Sequence, residues 1–263
     1  MKYLIIILVA LLVSGCNTTR PPAGLVGDAK LQTSSLQQKF DTVPELDGPP
    51  ITIAVYNFMD KTGQRKPSDK FSQLSSAVTQ GAEVWVIQAL QEVGGGTWFK
   101  VVERIGLDNL VKERQLIRST REQFENEKDK RLKPLLFAGL LIEGGVVGYD
   151  SNIATGGAGA RYLGIGLQSQ YRVDNVTISM RVVSVSTGEV LTTIATEKTI
   201  LSTSQGGDIF KFLDMGTRAL EVEIGKTQNE PVNYAVRAAI EQAVVELITQ
   251  GEEKGLWKFK QKE

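Results

Sequence analysis

Residues 163–173 read Leu-Gly-Ile-Gly-Leu-Gln-Ser-Gln-Tyr-Arg-Val, an alternation with a period of two. Leu163, Ile165, Leu167, Tyr171 and Val173 fall on one face, and Gly164, Gly166, Gln168, Gln170 and Arg172 fall on the other. The residues upstream repeat the pattern more weakly, with Ile153 and Thr155 on one side and Asn152 and Ala154 on the other. A turn in Gly156-Gly157-Ala158-Gly159 would make 150–175 a hairpin with arms of about 10 residues, the length of a tilted transmembrane β-strand. A second such segment is 194–227, whose early arm, Glu197 to Ser204, is polar and irregular. Ile209, Phe210 and Phe212 suit a membrane interface, and in the expected return arm Leu220, Val222 and Ile224 face one way, Glu221 and Glu223 the other. Apolar outside and acidic inside fits the wall of a water-filled barrel. Alternation alone describes half-buried hairpins on a soluble core equally well, and taken by itself favours them. Two hairpins supply only four strands, and a lone four-stranded sheet in lipid leaves its edge groups unsatisfied. If these strands span a membrane, several copies must pool them into one barrel.

The flanking sequence reads as an α/β domain with helices packed on a sheet. Ile51 to Phe58 is strand-like, and a polar loop over about 59–75 follows, with Phe71 in its middle. Val86, Ala89, Leu90 and Val93 place a helix over about 76–93, stopped by Gly94-Gly95-Gly96. Trp98 to Glu103 returns to a strand, Leu107, Leu110, Val111 and Ile117 mark a second helix, and the charged run Arg114 to Lys133 reads as a solvated helical face. Leu140 to Tyr149 is a glycine-containing strand. Val176, Ile178, Met180 and Val182 alternate with Thr177, Ser179 and Arg181, and Thr187-Gly188 turns the chain toward Val190-Leu191. A last helix opens near Pro231 and stops at Gly251, with Val236, Ala239, Ile240, Ala243, Val244, Leu247 and Ile248 on its apolar face. The domain thus comprises 51–149, 176–193 and 228–263, interrupted by the two candidate membrane hairpins at 150–175 and 194–227.

The N-terminus reads as a lipoprotein signal. Lys2 is basic, Leu4 to Val13 are apolar, and Val13-Ser14-Gly15 precede Cys16, the single cysteine among 263 residues. The expectation is cleavage after residue 15 and a covalent lipid on Cys16. Asn17 in place of an aspartate points to export to an outer membrane. Residues 16–50 hold Pro21-Pro22, Gly24, Gly27, Pro44 and Pro49-Pro50, and read as the lipidated N-terminus and an extended tether.

Composition narrows the function. Thirty basic residues balance thirty acidic ones, so no nucleic-acid partner is indicated, and the absence of histidine removes imidazole triads and the usual zinc sites. Gly157 and Gly159 invite a phosphate-loop reading, but Tyr162 stands where the last glycine is required and no Gly-Lys-Ser/Thr follows. No cofactor is expected beyond the lipid. An enzyme would have to rely on carboxylates such as Glu143 and Asp150.

The chain resembles the curli production assembly/transport lipoprotein (CsgG) family of outer-membrane secretion channels. The resemblance rests on the Cys16 signal, on Ala54-Val55-Tyr56-Asn57, on Asp60 to Pro67, and on Glu103-Arg104-x-Gly106-Leu107-x-Asn109-Leu110. It continues through Glu143 to Asn152, Gly156 to Gly166, Arg181 to Leu191 and Asn229-Glu230-Pro231-Val232. It implies a nonameric homo-oligomer in which each subunit gives two transmembrane hairpins to one β-barrel above a periplasmic α/β domain. Unfolded curli-type fibre subunits would pass without ATP, and curli accessory proteins of the periplasm and cell surface would be partners. In that arrangement Leu163, Ile165, Leu167, Leu220, Val222 and Ile224 face lipid, and Gln168, Gln170, Glu221 and Glu223 face the lumen. The family's narrowest point is a loop after the first strand, carrying Tyr, Asn and Phe. Phe71 matches the Phe, Lys70 stands at the Asn, and Ser68 or Asp69 occupies the place of the Tyr; the missing aromatic ring would widen the constriction, and a ring of lysines from symmetric copies would change its charge. The alternative is a monomeric lipid-tethered periplasmic adaptor.

Overall fold

Ile51 to Val55 is rich in β-branched side chains that fit a pleated surface, and this run begins the strand β1 (Ile51–Asp60). The computed structural model describes residues 31, 33–65, 77–125, 132–156, 169–205, 210–214, 224–225 and 231–261. Every element below lies within one compact unit, Thr33–Glu263. Besides β1, in chain order, they are α1 (Gln37–Thr42), α2 (Glu83–Glu92), β2 (Phe99–Val102), α3 (Leu107–Thr120), β3 (Leu140–Gly156), β4 (Ser169–Ser184), β5 (Val190–Gln205), β6 (Phe210–Asp214), β7 (Ile224–Gly225) and α4 (Pro231–Glu253). The strands form one sheet in the order β2-β1-β3-β4-β5-β6-β7. β1 runs parallel to both of its neighbours, which requires crossover connections, and α2 and α3 lie in them. From β3 onward every pairing is antiparallel.

The core lies between one face of this sheet and the helices α2 and α4. Val86, Ala89 and Leu90 from α2 and the whole expected face of α4 are buried in one core with Val176, Ile178, Met180 and Val182 of β4. Ser184 N–H bonds to the Glu189 carbonyl at 2.9 Å, closing the turn that carries Thr187-Gly188. The mixed α/β architecture and the inward row of β4 therefore follow the sequence pattern.

Four boundaries differ. First, α2 starts at Glu83, not near Ser76, because Thr79 and Gln80 turn the chain locally. The Thr79 hydroxyl accepts the Gly81 N–H at 3.3 Å, and the Gln80 side chain bonds back to the Val78 carbonyl at 3.1 Å. Its end is as expected: Gly94, Gly95 and Gly96 take φ of 59°, 65° and 75°, a left-handed run that side chains resist.

Second, α4 runs past Gly251 to Glu253. Its stop is a Schellman motif at Gly255, φ 71°, with Gly255 N–H bonding to the Glu252 carbonyl at 2.9 Å and Leu256 N–H to that of Gly251 at 2.8 Å. Gly251 is glycine for another reason: a Cβ there would sit 2.0 Å from Cζ2 of Trp257.

Third, α3 forms but buries none of its side chains against the described residues. None of its residues is buried, and Leu116 is 59% exposed. The charged run after it is not one helix: α3 passes into a π turn at Arg121–Glu125, and Arg114 Nη2 donates to the Lys133 carbonyl at 2.6 Å.

Fourth, the extended tether expected through residue 50 is folded over its second half. Residues 37–42 form α1, Phe40 is fully buried, and Leu46 bridges to Phe259. No periodic pattern announces this, since the pocket that receives Phe40 is built by distant residues.

Candidate functional site

The strands β3, β4 and β5 are 17, 16 and 16 residues long, far beyond the usual five or six. Their roots are in the core, and among the described side chains the last buried ones on the helix-covered face are Tyr149, Asp174, Lys198 and Ile200. Beyond that layer the three strands continue together to the level where Gly156 pairs with Ser169 and Ser169 with Gln205. At about 3.4 Å per residue this extension projects roughly 20 Å from the covered domain. β3 and β4 run through the expected domain limits at 149/150 and 175/176 without a break, so the first hairpin is a prolongation of the domain's own strands.

Among the described residues, the edges of the extension are open. β1 follows β3 only as far as Asp60 opposite Val146, and Lys61 N–H makes the last bond, to the Val146 carbonyl at 2.8 Å. Past Val146, β3 has no second neighbour among the described residues. On the far side the sheet ends at β7, where Ile224 pairs with Leu213. No described helix is long and apolar enough to cross a membrane, which says nothing about strands.

Two pairings correct the expected hairpins. Gly156 lies within β3 opposite Ser169, so it is a strand residue and not part of a turn; the rest of the expected turn, 157–159, lies outside the described residues. The strand that returns on β5 is Phe210–Asp214, with Ser204 opposite Phe210, not the segment Leu220 to Ile224. Ile224 instead adds a further strand outside β6. Periodicity assigns faces, whereas register assigns neighbours, and the alternation of Leu220 to Ile224 carries no register.

Of the other predicted site residues, Gln170 is in β4, opposite Thr155 and Ser204. Cys16, Ser68, Asp69, Lys70, Phe71, Leu163, Ile165, Leu167, Gln168, Leu220, Glu221, Val222 and Glu223 lie outside the described residues. The frame of the 59–75 loop is described. Ala77 N–H bonds to the Gln64 carbonyl at 2.9 Å, bringing the two ends of the loop together. Asp60 pins both ends: its Oδ1 accepts the Thr62 N–H at 2.8 Å and the Thr62 hydroxyl at 2.6 Å, and its Oδ2 accepts from Gln80 at 3.2 Å. The Asp60-x-Thr62 spacing is an Asx-turn signal that marks this residue, although it was read above only as part of a family motif.

A second feature that the sequence reading missed is a charged layer at the root of the extension. Asp174 continues the inward row of Val176, Ile178 and Met180, and Lys198 continues that of Ile194. The Tyr149 hydroxyl donates to Asp174 Oδ1 at 3.2 Å, and Lys198 Nζ lies 5.9 Å from the centroid of the Tyr234 ring. On the opposite face at the same level, Asn175 bonds Glu197, and Thr199 donates to Asn175 at 3.1 Å. Charges within an otherwise apolar row were the available signal.

The open face of the sheet bears a cavity of about 460 Å³ lined by Tyr56, Met59, Glu143, Val147 and Arg181 among others. Glu143 is ion-paired to Arg181 there, with Arg181 Nε 3.1 Å from its carboxylate. Asp150 is seven residues along β3, roughly 24 Å away, so the two carboxylates named for an enzyme reading are not brought together.

The sequence profile of the family described as curli production assembly/transport component CsgG matches residues 37–263. The curli production assembly/transport component CsgG of Salmonella typhimurium is 41% identical over 266 aligned positions, spanning 100% of this chain and 93% of the relative. The protein of that name from Escherichia coli is 39% identical with the same coverage. A solved PelC dodecamer from Paraburkholderia phytofirmans aligns with 78% of this chain and 93% of its own at 13% identity, with a TM-score of 0.28, too low to bear on function. With a match of this extent joined to full-length relatives, the chain belongs to the curli production assembly/transport component CsgG family.

Proposed function

We propose that this protein is a non-enzymatic, oligomeric channel of the outer membrane that carries unfolded curli-type amyloid subunits from periplasm to cell surface without ATP. The observation that carries the reading is the strand extension, whose two edges have no further neighbour among the described residues. A sheet of this kind in hydrocarbon must close on itself, and a single copy has too few strands to do so. Pairing the free edge of β3 in one copy with the last strand of the next would satisfy both edges and build a ring, ninefold if the family resemblance extends to subunit number.

Two surfaces support a homo-oligomer independently. Val111 and Leu116 of α3 are exposed, and so are Tyr56, Met59 and Val147 on the sheet face. Isolated exposed apolar residues are ordinary, but a helix without one buried residue calls for a neighbour. A lipid on Cys16 would hold each copy at the inner leaflet and set its orientation. The loop pinned by Asp60 would carry Phe71 and Lys70 to the channel axis, where a ring of phenylalanines gives weak apolar contact compatible with release.

Replacing Phe71 by Ala should impair fibre-subunit export while rings still assemble, as seen by electron microscopy of detergent extracts. Export at the wild-type level would place the constriction elsewhere, and extracts containing only monomers would favour the lipid-tethered adaptor.

A further inference from the structure

Glu241 is a carboxylate buried to 2% exposure on α4, in the middle of its apolar face. One of its oxygens, Oε1, pairs with Arg237 Nε at 2.8 Å, one helical turn earlier. The other, Oε2, accepts three bonds from the N-terminal segment: Ser35 N–H at 3.0 Å, Ser35 Oγ–H at 2.6 Å and Leu36 N–H at 3.2 Å. A buried charge is costly unless its acceptor sites are filled, and here residues more than 200 positions away fill them. Next along the chain, Lys39 donates to Gln242 at 3.1 Å and Phe40 is fully buried. Pro44 accepts the Trp98 indole N–H at 2.8 Å. Glu45 and Asp47 then exchange backbone bonds with Lys260 and Lys258, at 2.8 and 2.9 Å.

We propose that residues 33–50 form a strap latched to α4 by Glu241, so that the chain from Cys16 meets the fold near residue 33 and not at the start of β1. This inference rests on the lipidated Cys16 of the proposed function only for its consequence; the latch stands without it. With the strap docked, 17–33 can reach at most about 60 Å, and with it released, 17–50 about twice that. The latch also decides where a pull from the membrane enters the fold. Force arriving at Ser35 passes to Glu241, and α4 is bonded in turn to β5 through the Thr196 hydroxyl on the Ala239 carbonyl at 2.7 Å. Besides Phe40 and Glu241, the strap is held by the bonds to Gln242 and Trp98 and by the pairing of Glu45 and Asp47 with Lys260 and Lys258; none of these belongs to the ladders of β3, β4 and β5, so the strap can open without those strands opening.

Hydrogen exchange on the full-length lipidated chain in detergent tests this. Glu241→Gln should raise exchange at residues 35–42 by about tenfold or more while β3, β4 and β5 keep their protection. Ser35→Ala, which leaves the buried carboxylate in place, should do the same in the same segment to a smaller degree. A rise spread evenly over α4 and the sheet, or no rise at 35–42 in either variant, would overturn the latch. The same measurement on Cys16→Ala separates the two readings: protection of the strap should persist there, while the intact mass of the wild-type chain reports the lipid.

Discussion

The covered and projecting halves of the same strands obey one pattern with different cover. In the covered half, β4 alternates Val176, Ile178, Met180 and Val182 inward with Thr177, Ser179 and Arg181 outward, and helices of the same chain supply the other wall. In the projecting half the strands and the register continue, but no described helix or strand of the chain covers the faces or closes the edges. The layer of Asp174, Tyr149 and Lys198 divides the two. A period of two therefore specifies only that one face is apolar. Whether a helix, a lipid or another copy meets that face is decided by edges and length, which alternation does not encode.

Substitutions in a covered layer and in an uncovered one should differ in effect. The largest effect is expected in the covered one: Ile178→Ala removes a fully buried side chain and should cost about 2–5 kcal/mol, read from the urea midpoint of tryptophan fluorescence. A loss below about 1 kcal/mol would mean that the core relaxes around β4. Gly251→Ala should cost about 1–3 kcal/mol by forcing Trp257 away from α4, with a change in the near-ultraviolet dichroism of Trp257. Smallest in stability is Leu116→Asp on α3, expected within about 0.5 kcal/mol of wild type, yet shifting detergent extracts toward smaller species in sedimentation. A marked loss of monomer stability there would show that α3 has a cover within the chain.

Legibility followed the same division. The inward row of β4 and the face of α4 could be read directly, because each repeats over seven or more residues against a single wall. Gly255 was missed as the stop of α4 because Gly251 comes first in the sequence, and only the Trp257 ring above it explains that glycine. The strap was missed because Phe40 stands alone among polar neighbours and Glu241 resembles any helical glutamate; both gain meaning only from residues across the fold. The return strand of the second segment was misplaced because Leu220 to Ile224 alternates well and Phe210 to Asp214 does not. The residues expected at a constriction came from the family resemblance alone, and the Asp60 bonds describe only the base of the 59–75 loop.

The central claim, that the projecting strands of several copies close into one pore, is tested most directly by ion conductance of the detergent-extracted full-length protein in a planar bilayer. Discrete, stable conductance steps are predicted, with Lys70→Glu raising the preference for cations. Absence of steps from a preparation that electron microscopy finds monomeric would contradict the account.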